Sequence, residues 1–428
     1  MIYGMNFDFK KNKFASNLMI RLIIFFSFLF FIELYSYRAI KTVFNNRIKV
    51  LYIILNFIIY SLFFIQIFIY EYDKWEILSE IQQGLRSFFS YNFGIFFVLI
   101  ISKLIIIPFL FIEDISRLFY FLFNKVFKKK KINLSRRKFV SKTALALSAI
   151  PIPIMLHGIV RGRYNFKVIK HTLTFKDLPN EFNGYKLTHV SDFHCGSLEN
   201  RKKIEYAVDL INQQKSDLIL FTGDFVNNTF KEIEPWKGHF SKLKAKDGKF
   251  SVLGNHDYGD YYDWDSQDEK EKNFNQLKEI QKKMGFNLLL DESVYIKKNN
   301  QKIALIGVEN WGDGFKKKGD IDKAIKKIKK DDFKILMSHD PSHWEKIIVN
   351  HNNHFDLTLS GHTHGMQFGI EIPGFIKWSP VKYRYKYWAG VYSAKNQYIN
   401  VNRGFGVLGF PGRVGIWPEI SVIELKKG

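Results

Sequence analysis

FDLTLSGHTHG, residues 355–365, sets the reading of everything from about residue 161 onward. A short apolar run, too brief for a stable helix and the right length for a buried strand, stops at Gly361 and is followed by His362 and His364. Working outward, the same grammar recurs in YKLTHVSD (185–192), SDLILFTGD (216–224), KFSVLGNHD (249–257), KIALIGVEN (302–310) and FKILMSHD (333–340). Between several of these runs the period changes to that of a helix. Ile204, Ala207, Val208 and Ile211 make one apolar face over 200–214, and Ile321, Ala324, Ile325 and Ile328 make another over 321–330. Strands alternating with helices imply an α/β domain, in which sites assemble at the carboxyl ends of strands.

Five of the six runs end in polar turns: Asp192-Phe193-His194, Gly223-Asp224, Gly254-Asn255-His256-Asp257, Ser338-His339-Asp340 and Gly361-His362-Thr363-His364-Gly365. Glycine at such turns lets the backbone bend sharply and approach a metal or phosphate. The residue types suit phosphoester hydrolysis near neutral pH, which needs a hydroxide and a way to neutralise developing charge. Two cations about 3.5–4 Å apart supply both, held by a bridging carboxylate with imidazole and oxygen ligands. Mixed His/Asp/Asn ligation suits Mn, Fe or Zn better than Mg or Ca. The single cysteine, Cys195, excludes an intrachain disulfide and a Cys-based zinc site.

The ordered series D-x-H, G-D, G-N-H-D, a lone H and G-H-x-H resembles the calcineurin-like metallophosphoesterases, most closely their membrane-attached bacterial members. The resemblance spans about 186–425, including Arg403-Gly404-Phe405-Gly406 and Pro418-Glu419-Ile420. It implies a fold of two stacked sheets flanked by helices. It also implies that Asp192, His194, Asp224 and His364 hold one divalent or trivalent ion, and that Asp224, Asn255, His339 and His362 hold a second, with Asp224 bridging. In that scheme His256 is catalytic, giving a proton to the leaving oxygen or steadying the phosphoryl charge, and Asp257 orients it.

Other candidates read as structural. His343 follows Pro341 as a helix residue, His351 and His354 lie in a polar loop, and His157, His171, His189 and His239 have no partner pattern. Cys195 reads as a packed thiol. The stretch IKWSPVKYRYKYWAG (376–390) interleaves cations with Trp378, Tyr383, Tyr385, Tyr387 and Trp388. It fits a membrane-interface or lid element and equally an edge strand with alternate aromatics in the core. Arg403 and Arg413 could pair with a phosphate or hold loops.

Residues 1–160 read as a transmembrane anchor of four helices, about 17–37, 50–70, 93–112 and 141–160, preceding the 161–428 domain. The first three are near or above the ~20 apolar residues that a hydrocarbon core requires. Of the net +23, the share carried by these 160 residues lies between apolar runs, where it sets topology. Basic 38–49, acidic 71–87 and basic 113–140 predict inside, outside, inside, which exports the catalytic domain from a multi-pass cytoplasmic (inner) membrane protein; Lys10, Lys11 and Lys13 oppose this. Ser135-Arg136-Arg137 resembles a twin-arginine signal but is also a plain basic flank. The expectation is a membrane-anchored enzyme acting on a phosphomonoester, phosphodiester or pyrophosphate, including lipid or lipid-linked substrates, with no protein partner implied. A metal-dependent nuclease is the alternative, disfavoured because the basic excess lies in membrane loops. A non-enzymatic membrane sensor is the other, and a complete ligand set argues against it.

Overall fold

The computed structural model describes the backbone of residues 2–73, 83–127, 134–372 and 374–428, and side chains for 20–67, 87–123, 135–372 and 374–428. The charged residues of the 71–87 loop, Lys10, Lys11, Lys13 and Lys128–Lys131, on which the topology reading leans, lie outside the described side chains. The described residues separate into two compact units, one formed by helical residues up to Leu156 and the other running from His157 to Gly428 together with residues 83–90.

Helices Ile2–Val43, Asn46–Asp73 and Gln83–Phe127 are followed by Leu134–Ala149 and Pro151–Val160, the last of which passes from the first unit into the second at His157. The stretches Ile20–Val43, Asn46–Ile67, Ser87–Phe123 and Ser135–Tyr164 are long and apolar enough to cross a membrane. The fourth is broken at Ile150, because Pro151 has no N–H to donate and disfavours helical geometry in the residue before it. Polarity is inverted relative to a water-soluble bundle. Phe30, Phe57 and Phe119 face outward, while Lys103 is buried and pairs with Glu33, which also accepts from the Tyr52 hydroxyl at 2.9 Å. Arg137 pairs with Asp114 (3.3 Å) and Arg136 donates to Ser116 (2.8 Å), so both arginines of the Ser135-Arg136-Arg137 motif are engaged by the helix before them.

The second unit holds two six-stranded sheets. The first has the order β1 (Lys167–Phe175), β14 (Glu419–Lys427), β2 (Lys186–Val190), β3 (Leu218–Phe221), β4 (Lys249–Ser251), β5 (Phe286–Leu288). The second has the order β12 (Gly390–Ala394), β13 (Gln397–Val401), β9 (Leu357–Ser360), β8 (Lys334–Met337), β7 (Gln301–Gly307), β6 (Glu292–Lys298). All six strands read from the sequence are present. Leu187, Leu220 and Val252 of one sheet meet Leu305, Ile335 and Leu359 of the other in a buried layer. On the far side of the first sheet, helix Arg201–Gln213 lays down Ile204, Ala207, Val208 and Ile211, and its N-terminus is capped by Asn200 accepting from the Lys203 N–H. Helix Pro341–Lys346 brings Trp344 into the layer outside the second sheet. The result is a two-sheet sandwich flanked by helices.

The helix expected over 321–330 is a single turn, Ile321–Ala324. Lys326, Lys327, Lys329 and Lys330 would crowd like charges at helical spacing, and Asp332 instead takes the Lys329 N–H at 2.9 Å to turn the chain into β8. Outside both sheets, β10 (Ile370–Ile372) and β11 (Ile376–Trp378) form a separate hairpin.

Candidate metal centre

Strands β2, β3 and β4 run parallel in one sheet, β8 and β9 run parallel in the other, and each expected ligand lies within the four residues after its strand. The turns that follow are unusual. Asp192 (φ 55°), His194 (44°), Asp224 (60°), His362 (69°) and His364 (49°) all adopt left-handed backbone. Non-glycine residues there cost on the order of 1 kcal/mol or more each, and such strain concentrates at functional sites. The geometry turns the side chains back over the strand ends. Phe193, between two of these residues, is buried in the opposite direction and stacks on Phe240 at 4.2 Å, fixing the turn to the core. Glycine is required at 254 and 361. A Cβ on Gly254 would collide with the Asp224 carboxylate, and one on Gly361 with Ser191 and Asp192.

Two groups of atoms that could hold a metal ion result. Asp192, His194 and His364 each offer a donor atom within 4.8 Å of the others, and so do Asp224, His339 and His362. The Asp224 Oδ2 lies 3.2 Å from His339 Nε2 and 3.6 Å from His194 Nε2, one ring from each group. Its other oxygen, Oδ1, accepts the His256 backbone N–H at 2.9 Å. Asn255 donates through Nδ2 to the Tyr261 hydroxyl (2.9 Å), which leaves its buried Oδ1 without a hydrogen-bond partner. An orphaned amide oxygen beside carboxylates and imidazoles is what an oxygen ligand to a cation looks like from the protein side.

Hydrogen bonds fix the rings. His339 Nδ1 donates to the Thr222 carbonyl (2.7 Å), presenting Nε2 toward Asp224. Burial opposes a charge on His339, yet the Asp224 carboxylate outweighs it and holds the pKa up to about 10. A cation there would satisfy Asp224 in place of that proton. His362 Nε2 lies 2.8 Å from the Tyr385 hydroxyl, and its Nδ1 faces His339 Nε2 at 3.3 Å. Burial would raise the Asp192 carboxyl, but His364 beside it wins and holds it below the usual range. The donor set fits hard-to-borderline transition-metal ions.

His256 stands outside both groups, half-buried, its ring 5.0 Å from that of His194. Its Nδ1 donates to the Asn227 carbonyl at 2.8 Å. This corrects the expected role of Asp257. That carboxylate accepts the backbone N–H groups of Asp224, Phe225 and Gly254 at 2.8, 2.8 and 2.9 Å, so it clamps two ligand loops together while a carbonyl orients the histidine. Burial, with Asp224 nearby, pushes the Asp257 pKa up to about 7.

The remaining candidates fall elsewhere. His343 stacks on Trp311 (4.9 Å) and bonds Ser338, and His351 and His354 lie near Asp322 and Asp356. Cys195 is buried, outside both donor groups. Arg403 pairs with Glu371 and Glu419, and the fully buried Arg413 donates to the Gly406 carbonyl and lies 3.1 Å from His364 Nδ1; both hold loops. In 376–390, Tyr385 and Trp388 are core residues, and Tyr383 is exposed. Tyr385, whose hydroxyl meets a ligand ring, escaped the sequence reading because one tyrosine among several cation-flanked aromatics carries no distinguishing signal. Asn227 and Thr222 escaped it because they act through backbone carbonyls.

Comparison with known proteins agrees with this geometry. The family described as "Calcineurin-like phosphoesterase" matches residues 185–366, and the family "Probable Calcineurin-like phosphoesterase, transmembrane domain" matches 19–163. Metallophosphoesterase YkuE of Bacillus subtilis is 29% identical over 300 residues, 68% of this chain and 98% of its own. Phosphodiesterase YaeI of Escherichia coli is 28% identical over 296 residues, 68% and 99%. A "Transmembrane protein with metallophosphoesterase domain" of Danio rerio is 26% identical over 301 residues, 67% of this chain and 63% of its own length. With the strand-end ligand turns and the four apolar spans, these similarities make the chain a metal-dependent phosphoester hydrolase of the calcineurin-like phosphoesterase family, with a four-helix transmembrane domain at its N-terminal end.

Proposed function

We propose that this chain is a two-metal phosphoesterase cleaving a lipid or lipid-linked phosphoester at the membrane surface. The observation that carries it is Asp224 Oδ2, within 3.6 Å of a histidine nitrogen from each donor group. Asp192, His194 and His364 would hold one ion, Asn255, His339 and His362 the other, and Asp224 both. Ions in such a pair supply a hydroxide at neutral pH and neutralise charge on the phosphoryl oxygens. The chain's own residues do the rest. His256, with Nδ1–H committed to Asn227, presents Nε2 toward the leaving oxygen and supplies its proton. Asp257 keeps the 224 and 254 turns in register. Tyr385 steadies the His362 ring. Residues 1–160 serve as the anchor and 161–428 as the catalytic domain, on the extracytoplasmic side of the inner membrane. That YaeI is named a phosphodiesterase favours a diester among the possible bonds.

The test is elemental analysis of the purified full chain together with turnover of a soluble phosphodiester, a phosphomonoester, a pyrophosphate and a phospholipid. About two equivalents of Mn, Fe or Zn and turnover of the lipid ester are expected; fewer than one equivalent, or turnover of nucleic acid alone, would overturn the reading. For the orientation, an alkaline phosphatase fusion after Gly428 is expected to be active in cells, and an inactive fusion paired with a fluorescent cytoplasmic-reporter fusion would reverse it.

A further inference from the structure

The β10–β11 hairpin is inside-out. In its register Ile370 faces Trp378, Glu371 faces Lys377 and Ile372 faces Ile376. An edge hairpin in water turns apolar residues inward and charges outward. Here Ile370 (51% exposed), Ile372 (52%) and the tip residue Phe375 (85%) point away from the protein. On the other face Glu371 is half-buried against the protein, and Lys377, itself exposed, reaches back to it with its ammonium group. Glu371 is gripped by Arg403, which also holds buried Glu419, and Lys377 donates to the Ala389 carbonyl beneath the ring of Trp388. The Glu371–Arg403 ion pair and the Lys377 hydrogen bond fix which face is turned out, so the exposure is built in.

The hairpin's attachment indicates what covers it. Gly369 donates to the Val414 carbonyl (2.9 Å) and Val414 donates to that of Gln367 (2.7 Å). One residue earlier, Arg413 donates to the carbonyl of Gly158 (3.1 Å), in the last turn of helix Pro151–Val160. That turn lies in the closing stretch of the fourth apolar span, Ser135–Tyr164, and from His157 onward it belongs to the same compact unit as the hairpin. A Cβ on Gly158 would meet Arg413 and Val414 atoms at 2.7 Å, and one on Gly412 would meet Ile159 at 2.8 Å, so the two backbones are in direct contact. The hairpin is thus braced on the point where the chain leaves its last span. The 3₁₀ turn and loop after it expose Lys382, Tyr383, Arg384 and Lys386, the cation-and-tyrosine dress of a headgroup layer. Toward the metal centre, His364 is followed by Gly365 and the exposed Met366, so a ligand loop runs straight into this surface.

We propose that the hairpin Ile370–Trp378 dips Ile370, Ile372 and Phe375 into the headgroup–acyl boundary of the bilayer that the chain's own helices span. The catalytic unit then has a second membrane contact, which fixes the His362–His364 edge of the centre at the lipid surface. Binding through this contact needs no assumption about the substrate; its effect on lipid turnover rests on the function proposed above.

The experiment uses the full chain in liposomes of phosphatidylethanolamine and phosphatidylglycerol. The lone native cysteine is buried, so F375C can be labelled with an environment-sensitive fluorophore, with Y206C, on helix Arg201–Gln213, as the reference. Expected are blue-shifted emission at 375 and quenching by interfacial doxyl lipid about fivefold stronger than at 206. Water-like emission at 375 would overturn the proposal. So would a blue shift without lipid quenching, which would mean that protein, this chain or a second copy, covers the hairpin. I372S/F375S is expected to lower turnover of a vesicle-embedded phosphodiester about tenfold and leave a soluble one unchanged. Equal turnover of both by variant and wild type would remove the positioning role. A wild-type chain that cleaves neither ester would sink the proposed function and leave the quenching result to judge the hairpin alone.

Discussion

Asp224→Asn is expected to empty the centre and abolish turnover together. Both donor groups lean on this one carboxylate, His339 at 3.2 Å and His194 at 3.6 Å from the same oxygen. Asparagine is nearly isosteric but uncharged, and only one of its side-chain heteroatoms can ligate. In the proposed two-metal site, replacing the shared anion would leave two cations repelling each other with no counter-charge between them. The several kcal/mol of transition-state charge stabilisation that the pair supplies would go with it, a loss on the order of a thousandfold or more in kcat/KM. The change also reaches the backbone, because Oδ1 takes the His256 N–H. An amide whose oxygen keeps that bond preserves the loop, so the variant should fold. Elemental analysis beside a circular dichroism melt separates the cases: a folded variant retaining both metals would show that Asp224 does not bridge.

His256→Ala is expected to do the opposite, keeping metal while turnover falls about a hundredfold or more. The ring belongs to neither donor group, and its Nδ1–H is committed to the Asn227 carbonyl, so in the neutral ring Nε2 carries the lone pair and can pick up a proton for delivery. Removing it takes away a proton donor and leaves every ligand and both carboxylates in place. The loss should therefore fall on kcat, and should shrink for esters whose leaving group is already a good one, such as a nitrophenolate, because such an oxygen needs no proton. Loss of metal in this variant, or an equal defect for good and poor leaving groups, would remove His256 from that role.

Much of the second unit could be read in the chain because its information is local. Each apolar run of β2, β3, β4, β8 and β9 is bounded by its own polar turn, and the candidate ligands stand at fixed short offsets from those runs. What could not be read depends on partners far away in sequence or on backbone atoms. Nothing in EISVIELKK announces that β14 inserts between β1 and β2, parallel to one and antiparallel to the other. The alternation in 370–378 is plain, but its inversion is not, since the direction is decided by Arg403 and Glu419. The resemblance implies Asp257 as the orienting partner of His256, yet its oxygens are drawn to the N–H groups of a neighbouring loop. The lysine-rich 321–330 stretch had the right apolar period for a helix, and charge crowding shortened it.

The place of β14 has a bearing on how the molecule is made. β1 has no neighbour in its sheet other than β14, with nine residues paired from Lys167↔Glu419 to Phe175↔Lys427. About 250 residues of chain separate those partners, about 10–50 s of synthesis at ordinary ribosomal rates. Throughout that interval the membrane helices can already be inserted, while the strand that joins them to the catalytic sheet has an open edge and the β2 side of the sheet is bare. The docking of β14 is therefore the closing step of folding, and until it happens the nascent enzyme is tethered to its membrane by an unpaired strand. Loss of that pairing would open the seam first and the metal-binding turns only afterwards, so the weak point of quality control is the pairing that the last strand of the sheet completes.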